Sequence, residues 1–176
     1  MHNCLVGSEM CIRDRYDVKS KSILSSKQYL NRLNNPTDWT SKILSKYVYP
    51  SRAICKVIKT KSLTTGLSGF FVTIRFLAKS NEIKKFYNVS DEIMSKNGIF
   101  SIHCFQSDRE ISQLKTKEKV IRSYQGNEDE IIDYAVVIEC LNINKVKKFL
   151  LNNFKIKSDK KIKINYYQLQ HIIELG

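Results

Sequence analysis

The sequence predicts an α+β protein assembled from β-α-β units, and three observations carry that expectation. Runs rich in aromatic and β-branched residues recur at 70 to 77, 99 to 106, 133 to 140 and 163 to 174. Segments with apolar residues at spacings of three and four stand between them, at 81 to 96 and after Asn142. Capping residues bound those segments, Asn97-Gly98 closing the first and Asn142 or Asn144 opening the second. Residues 68 to 175 thus read β-α-β, connection, β-α-β, the ferredoxin-like order of a four-stranded antiparallel sheet with two helices on one face.

Each element has a local cause. Residues 1 to 15, MHNCLVGSEMCIRDR, hold two of the five cysteines, two of the three methionines and none of the 23 lysines. Glu9 interrupts their apolar stretch and no basic segment precedes it, which argues against a signal peptide. Residues 4 to 15 resemble a translated sequencing-adapter fragment, of the kind found fused to truncated reading frames in environmental sequence collections. The segment 1 to 15 is therefore expected to be non-native or disordered, with the fold beginning near Tyr16.

A helix is expected over 25 to 33, with a Ser cap, Tyr29, Leu30 and Leu33 on one face, and a stop at Asn34-Asn35-Pro36. Thr37 caps a second helix carrying Trp39, Ile43, Leu44 and Tyr47 at packing spacing, ended by Pro50. Residues 53 to 61 alternate as a strand, and 64 to 69, with two glycines, mark a boundary. The helix of 81 to 96 is expected to bury Ile83, Phe86, Tyr87, Ile93 and Met94. The polar stretch 107 to 127 contains a short helix around 116 to 123, and the helix after Asn142 buries Val146, Phe149, Leu150 and Phe154.

Tyr16-Asp17-Val18, the helices of 25 to 47 and the strand of 53 to 61 echo the β-α-β order of 133 to 174. The expected organisation is the C-terminal half of a first ferredoxin-like repeat at 16 to 63 and a complete second repeat at 68 to 175. Helices on one face leave the other apolar face to be covered, which a repeat packed sheet against sheet would do.

The chain has 176 residues, 30 Lys+Arg against 17 Asp+Glu, a formal net charge of +13, 42% hydrophobic residues and 10% aromatics, a composition that excludes wholesale disorder. A positive field gathers polyanions. Here 23 Lys and 7 Arg accompany 21 Ile and 13 Asn against 3 Ala, the bias of AT-rich codons, which accounts for much of the charge. The densest cluster is Lys145, Lys147, Lys148, Lys155, Lys157, Lys160, Lys161 and Lys163, opposed locally by Asp159. Five cysteines without a Cys-x-x-Cys or zinc-type spacing point to reduced thiols, with Cys55, Cys104 and Cys140 as small hydrophobes in apolar strands. The longest apolar runs, 69 to 74 and 135 to 138, fall far short of the roughly 20 residues that cross a bilayer. A cytoplasmic protein without membrane contact is expected.

Residues 25 to 40, SSKQYLNRLNNPTDWT, together with RAICKV at 52 to 57 and GLSG at 66 to 69, resemble a group of dimeric α/β-barrel proteins similar to EthD-like and stress-responsive barrel domains. That group carries a helix reading S-x-x-Y-L-x-x-L-N-x-P-T-x-W-T and an R-x-x-C-x-V strand. Asp108, Lys115-Thr116-x-Glu118 and Arg122 fit its connection between the second and third strands, while Asp38 before the Trp and heavy Lys substitution depart from it. The resemblance implies a sheet-lined barrel made by two chains or two repeats. Its relatives include small monooxygenases, isomerases, dehydratases and haem-handling enzymes, so fold alone does not select a reaction.

Strands 70 to 77 and 133 to 140 are central neighbours in the ferredoxin order. Alternation puts Thr73 and Arg75 on one face with Ala135, Val137 and Glu139, and leaves Phe70, Val72, Ile74, Phe76, Tyr134, Val136 and Ile138 for the helix-covered side. Arg75 and Glu139 are expected to point into the barrel as a charge pair, either orienting a polar substrate or serving as a cross-strand salt bridge. His103, of one parity with Ile99, Ser101 and Phe105, and His171 near the end of the last strand are general-base candidates, or else wall residues. Trp39 and Tyr47 read as packing residues. Lys115-Thr116-x-Glu118 lacks the glycines of a phosphate loop and reads as polar connection.

The functional expectation is a barrel that binds or transforms a small, partly apolar molecule in a sheet-lined cavity, with no cofactor and no obligate metal. Whether it is an enzyme stays open. If it is, Arg75, Glu139 and His103 orient substrate and move protons in a cofactor-independent monooxygenase, isomerase or dehydratase-like reaction. The alternatives are a non-catalytic stress-associated or ligand-binding barrel, and a nucleic-acid binder using the 145 to 163 lysines. The last is disfavoured because the strands lack the aromatic and glycine signature of an RNA-recognition motif. Self-association through the open sheet face is the expected partnership.

Overall fold

A computed structural model describes residues 2–7, 12–46, 52–66, 68–77, 81–123, 131–154 and 161–173, with side chains described for all of these except 2–7, 12–14, 123 and 171–173. The chain divides into two compact units, one of 1–17, 55–107 and 132–176, the other of 18–54 and 108–131.

The first unit is an antiparallel sheet with helices. Its strands are β1 (His2–Gly7), β2 (Ile12–Tyr16), β3 (Cys55–Ser62), β4 (Phe70–Phe76), β5 (Ile99–Ser107), β6 (Tyr134–Cys140) and β7 (Ile162–Ile173), in the order β2-β1-β7-β4-β6-β5-β3. Within it β7-β4-β6-β5 is the ferredoxin-like order expected of residues 68 to 175. The β4 to β5 connection carries two short helices, numbered below in chain order as α4 (Ile83–Tyr87) and α5 (Asp91–Lys96), and the β6 to β7 connection carries α8 (Ile143–Asn153). The fold is α+β and of the ferredoxin-like kind.

The core forms where helices meet the sheet. Val72, Ile74 and Phe76 of β4, Ile102 and Cys104 of β5, and Val136, Ile138 and Cys140 of β6 cluster with Phe86, Met94, Val146, Phe149 and Phe154. Full burial contributes about 1.5–3 kcal/mol for each large apolar side chain, so this layer dominates the unit's stability. Phe154 stacks on Phe86 at 4.1 Å between centroids, joining the two connections. Cys104 and Cys140 are buried here, and desolvation pushes their thiols up to about 12 and about 11; Cys55 is only partly buried.

Several local expectations change. The helix foreseen over 81 to 96 breaks at Asn88: Ser90 caps α5, its Oγ accepting from Ile93 N, and the new helix buries Met94 and turns Ile93 outward. Gly98, at φ 65, terminates α5 in the left-handed conformation that its missing Cβ permits. Ile99 does not share the face of His103. The β5–β6 register shifts between Ile99 and Ser101, and that bulge sends Ile99 to the helix side. Within the N-terminal segment, β1 pairs antiparallel with β2 and with β7. β3, expected in a first repeat, adds to the edge of the same sheet beside β5.

The second unit is helical: α1 (Lys21–Leu24), α2 (Lys27–Asn34), α3 (Asp38–Leu44), α6 (Arg109–Ser112) and α7 (Lys117–Ser123). Ser20, Ser26, Thr37 and Asp108 cap α1, α2, α3 and α6 with side-chain oxygens. The Ser-capped helix expected over 25 to 33 is α2, which starts after the Ser26 cap, and α1 precedes it, ending at Leu24. Polar contacts tie the two segments of the unit. Lys21 Nζ meets Asp108 Oδ2 at 2.6 Å, Arg52 Nη1 meets Glu118 Oε2 at 3.0 Å, and Ser112 Oγ accepts from Ile54 N at 2.9 Å. Arg122 approaches the other Glu118 oxygen at 3.4 Å, and Thr116 Oγ1 accepts from Lys119 N. The 115 to 118 stretch is thus a cap and an ion-pair anchor, as its polar-connection reading expected. Trp39 corrects an expectation: it is 71% exposed, because the two turns of α3 bury Leu44 instead. Tyr47 lies outside the described residues.

Candidate functional site

Alternation along the strands carries one residue set to the face of the sheet opposite α4, α5 and α8. Register then lines these residues up in rows across the strands. One row runs Ser62, Ser101, Glu139, Phe71, Tyr167; the next runs Thr60, His103, Val137, Thr73, Asn165; a third runs Val57, Phe105, Ala135, Arg75, Lys163. Phe71 and Tyr167 pack together with Val137 and Leu169 as a small apolar cluster.

His103 and Glu139 stand diagonally on neighbouring strands, with Nε2 3.1 Å from Oε1. Glu139 is 4% exposed, and the His103 side chain keeps 17%. Nε2 also lies 3.0 Å from Ser101 Oγ, and Nδ1 lies 3.1 Å from the exposed Thr60 Oγ1. The partners assign the tautomer. A carboxylate only accepts, so Nε2 carries the proton and donates to Glu139, leaving the Nδ1 lone pair to accept from Thr60 O–H. The same geometry excludes Ser101 as a nucleophile activated by His103, since Nε2 cannot donate to Glu139 and take the serine proton together.

Arg75 does not join this pair. Register sets Arg75 opposite Ala135 and Glu139 opposite Phe71, four residues or about 13 Å away along the strand. The expected Arg75–Glu139 charge pair is replaced by His103–Glu139. Arg75 Nη2 instead donates to Asn165 Oδ1 at 3.0 Å. Between the two polar groups, Ala135 and Val137 stay partly exposed, while Thr73, Ser101 and Glu139 are buried. Thr73 Oγ1 is buried without a hydrogen-bond partner. These burials hold within one chain, so desolvation of this face needs no second copy.

Thr60, Ser101, Asn165 and Lys163 complete the arrangement, and the sequence reading assigned none of them a role there. Their signal is tertiary, because only cross-strand register brings them beside His103 and Arg75. His171 lies in β7, and its side chain is outside the described residues. Of the lysine cluster, Lys147 lies over the Tyr166 ring at 4.6 Å; Lys155, Lys157, Lys160 and the opposing Asp159 are outside the described residues. Among the described residues no helix is long and apolar enough to cross a membrane, and no three His, Cys, Asp or Glu side chains group to hold a metal ion. The chain matches no known family model and no curated protein.

Proposed function

We propose that this protein binds and transforms a small, partly apolar molecule on the sheet face opposite α4, α5 and α8, with His103 as the proton-transfer group. The architecture in which this happens is an α/β barrel of the EthD-like and stress-responsive kind, working in the cytoplasm. One observation carries the reading: a histidine with its Nε2–H held by a buried carboxylate and its Nδ1 directed at an exposed hydroxyl. Rotation of the Thr60 hydroxyl uncovers Nδ1, which accepts a proton from a bound molecule, and Glu139 stabilises the imidazolium that results. Phe105, whose ring centroid is 6.3 Å from that of His103, and Val137 supply an apolar contact surface.

The test is a panel of small carbonyl compounds and phenols followed by the His103 ring signals in NMR. At least one compound is expected to shift those signals, to be consumed by the wild-type chain, and to bind but persist with His103→Gln. A panel that leaves His103 unmoved overturns the reading. Binding without turnover reduces it to a ligand-binding barrel.

A further inference from the structure

Thr73 shares a row with His103, two strands away across Val137, about 10 Å between backbones. It is 2% exposed, and its Oγ1 has no hydrogen-bond partner among the described residues. A buried hydroxyl in that state has given up its water and received nothing in exchange, a condition few native side chains are in. Asn165, directly opposite on β7, does not relieve it, because its Oδ1 bonds Arg75 Nη2 one row on. That bond also fixes the amide: the oxygen faces the guanidinium, and what Asn165 has left to offer is its Nδ2 donors. The row therefore holds a proton-transfer group at one end and, at the other, a dry hydroxyl beside an amide donor. Val137, between them, is partly exposed and apolar.

Resting on the reading that this face holds the ligand, we propose that Thr73 determines specificity by donating its hydroxyl proton to a neutral carbonyl oxygen of the ligand, with the apolar body over Val137 and the reacting end at His103. An acceptor fits better than a donor there, since a carbonyl oxygen has a second lone pair for Asn165 Nδ2. A desolvated hydroxyl discriminates strongly, because a ligand lacking the oxygen leaves it unpaired.

The experiment compares 4-(4-hydroxyphenyl)butan-2-one with 4-(3-methylbutyl)phenol, which share a phenol and a shape and differ in a carbonyl oxygen against a methyl group. Binding to the full chain is measured by calorimetry, and the His103 ring signals report contact at the other end. Thr73→Val, which keeps the shape and removes the hydroxyl, is expected to lower the ratio of ketone to hydrocarbon affinity about fivefold while the hydrocarbon compound binds as before. Thr73→Ser, which keeps the hydroxyl, should hold the ratio. An unchanged ratio in Thr73→Val, with both compounds shifting His103, overturns the Thr73 assignment and leaves the functional reading standing. A parallel loss of both compounds overturns it too, since the variant has then disturbed the face and not one contact. If neither compound moves His103 in the wild type, the inference fails, and the broader panel then decides whether the functional reading fails with it.

Discussion

Glu139 is buried and His103 is its one side-chain partner among the described residues, so its environment is fragile in one direction only. His103→Ala leaves the buried carboxylate without that hydrogen bond and should cost about 2 kcal/mol in urea unfolding. The double replacement His103→Leu with Glu139→Leu should return most of the loss, because an apolar pair needs no desolvated charge. If the double variant is no more stable than His103→Ala, the pair contributes through something other than its mutual contact. Thr73 is the opposite case: its hydroxyl is buried and unbonded, so Thr73→Val should raise stability by about 1 kcal/mol at constant shape. A fall in stability would mean the hydroxyl has a native partner in solution.

Among the elements, α8 and α6 depend on their first turns. Asn142 Oδ1 accepts from Asn144 N at 2.9 Å and Lys145 N at 3.2 Å, and Asn142→Ala should cost about 1 kcal/mol, with faster amide exchange at those two positions before the rest of α8. The cap of α6 is charged. Lys21 and then the Ile111 amide hold the Asp108 carboxyl below its ordinary range. A carboxyl lowered in the folded state adds stability above its unfolded value, and that stability is lost as pH falls through the folded value. Protection of the Ile111 amide should decline in that acid window. Asp108→Asn, which keeps the acceptor and loses the charge, should flatten the decline; an unchanged acid profile would count against the Lys21 contact.

For the molecule as a whole, the two raised thiols set an alkaline limit. Cys104 and Cys140 stay protonated in the folded chain up to about 12 and about 11, whereas an unfolded thiol ionises near 9.0. Above that value the unfolded state binds fewer protons than the native one, so stability is whole below it and falls as pH rises. Both thiols should resist iodoacetamide in the native chain at pH 8 and react at the rate of unfolding. Rapid native labelling at either position would place that thiol outside the core.

Strand and helix placement was largely legible, because period, caps and apolar runs are local properties. The facing of β4 and β6 followed from alternation, which is why Val72, Ile74, Val136 and Ile138 were assigned correctly to the helix side. Three features were not legible. The bulge beside Ile99 depends on β6, the break at Asn88 depends on which side of α5 the sheet accepts, and the exposure of Trp39 depends on what α3 packs against. By itself the sequence determined the α+β class, the ferredoxin-like order of residues 68 to 175 and the presence of Arg75, Glu139 and His103 among the candidate residues. Only the tertiary structure decided that Glu139 meets His103 and that Arg75 lies with Asn165 and Lys163. A one-face pattern repeats every two residues and is indifferent to sliding by two, so the partner across the sheet is set by register, which no single strand encodes.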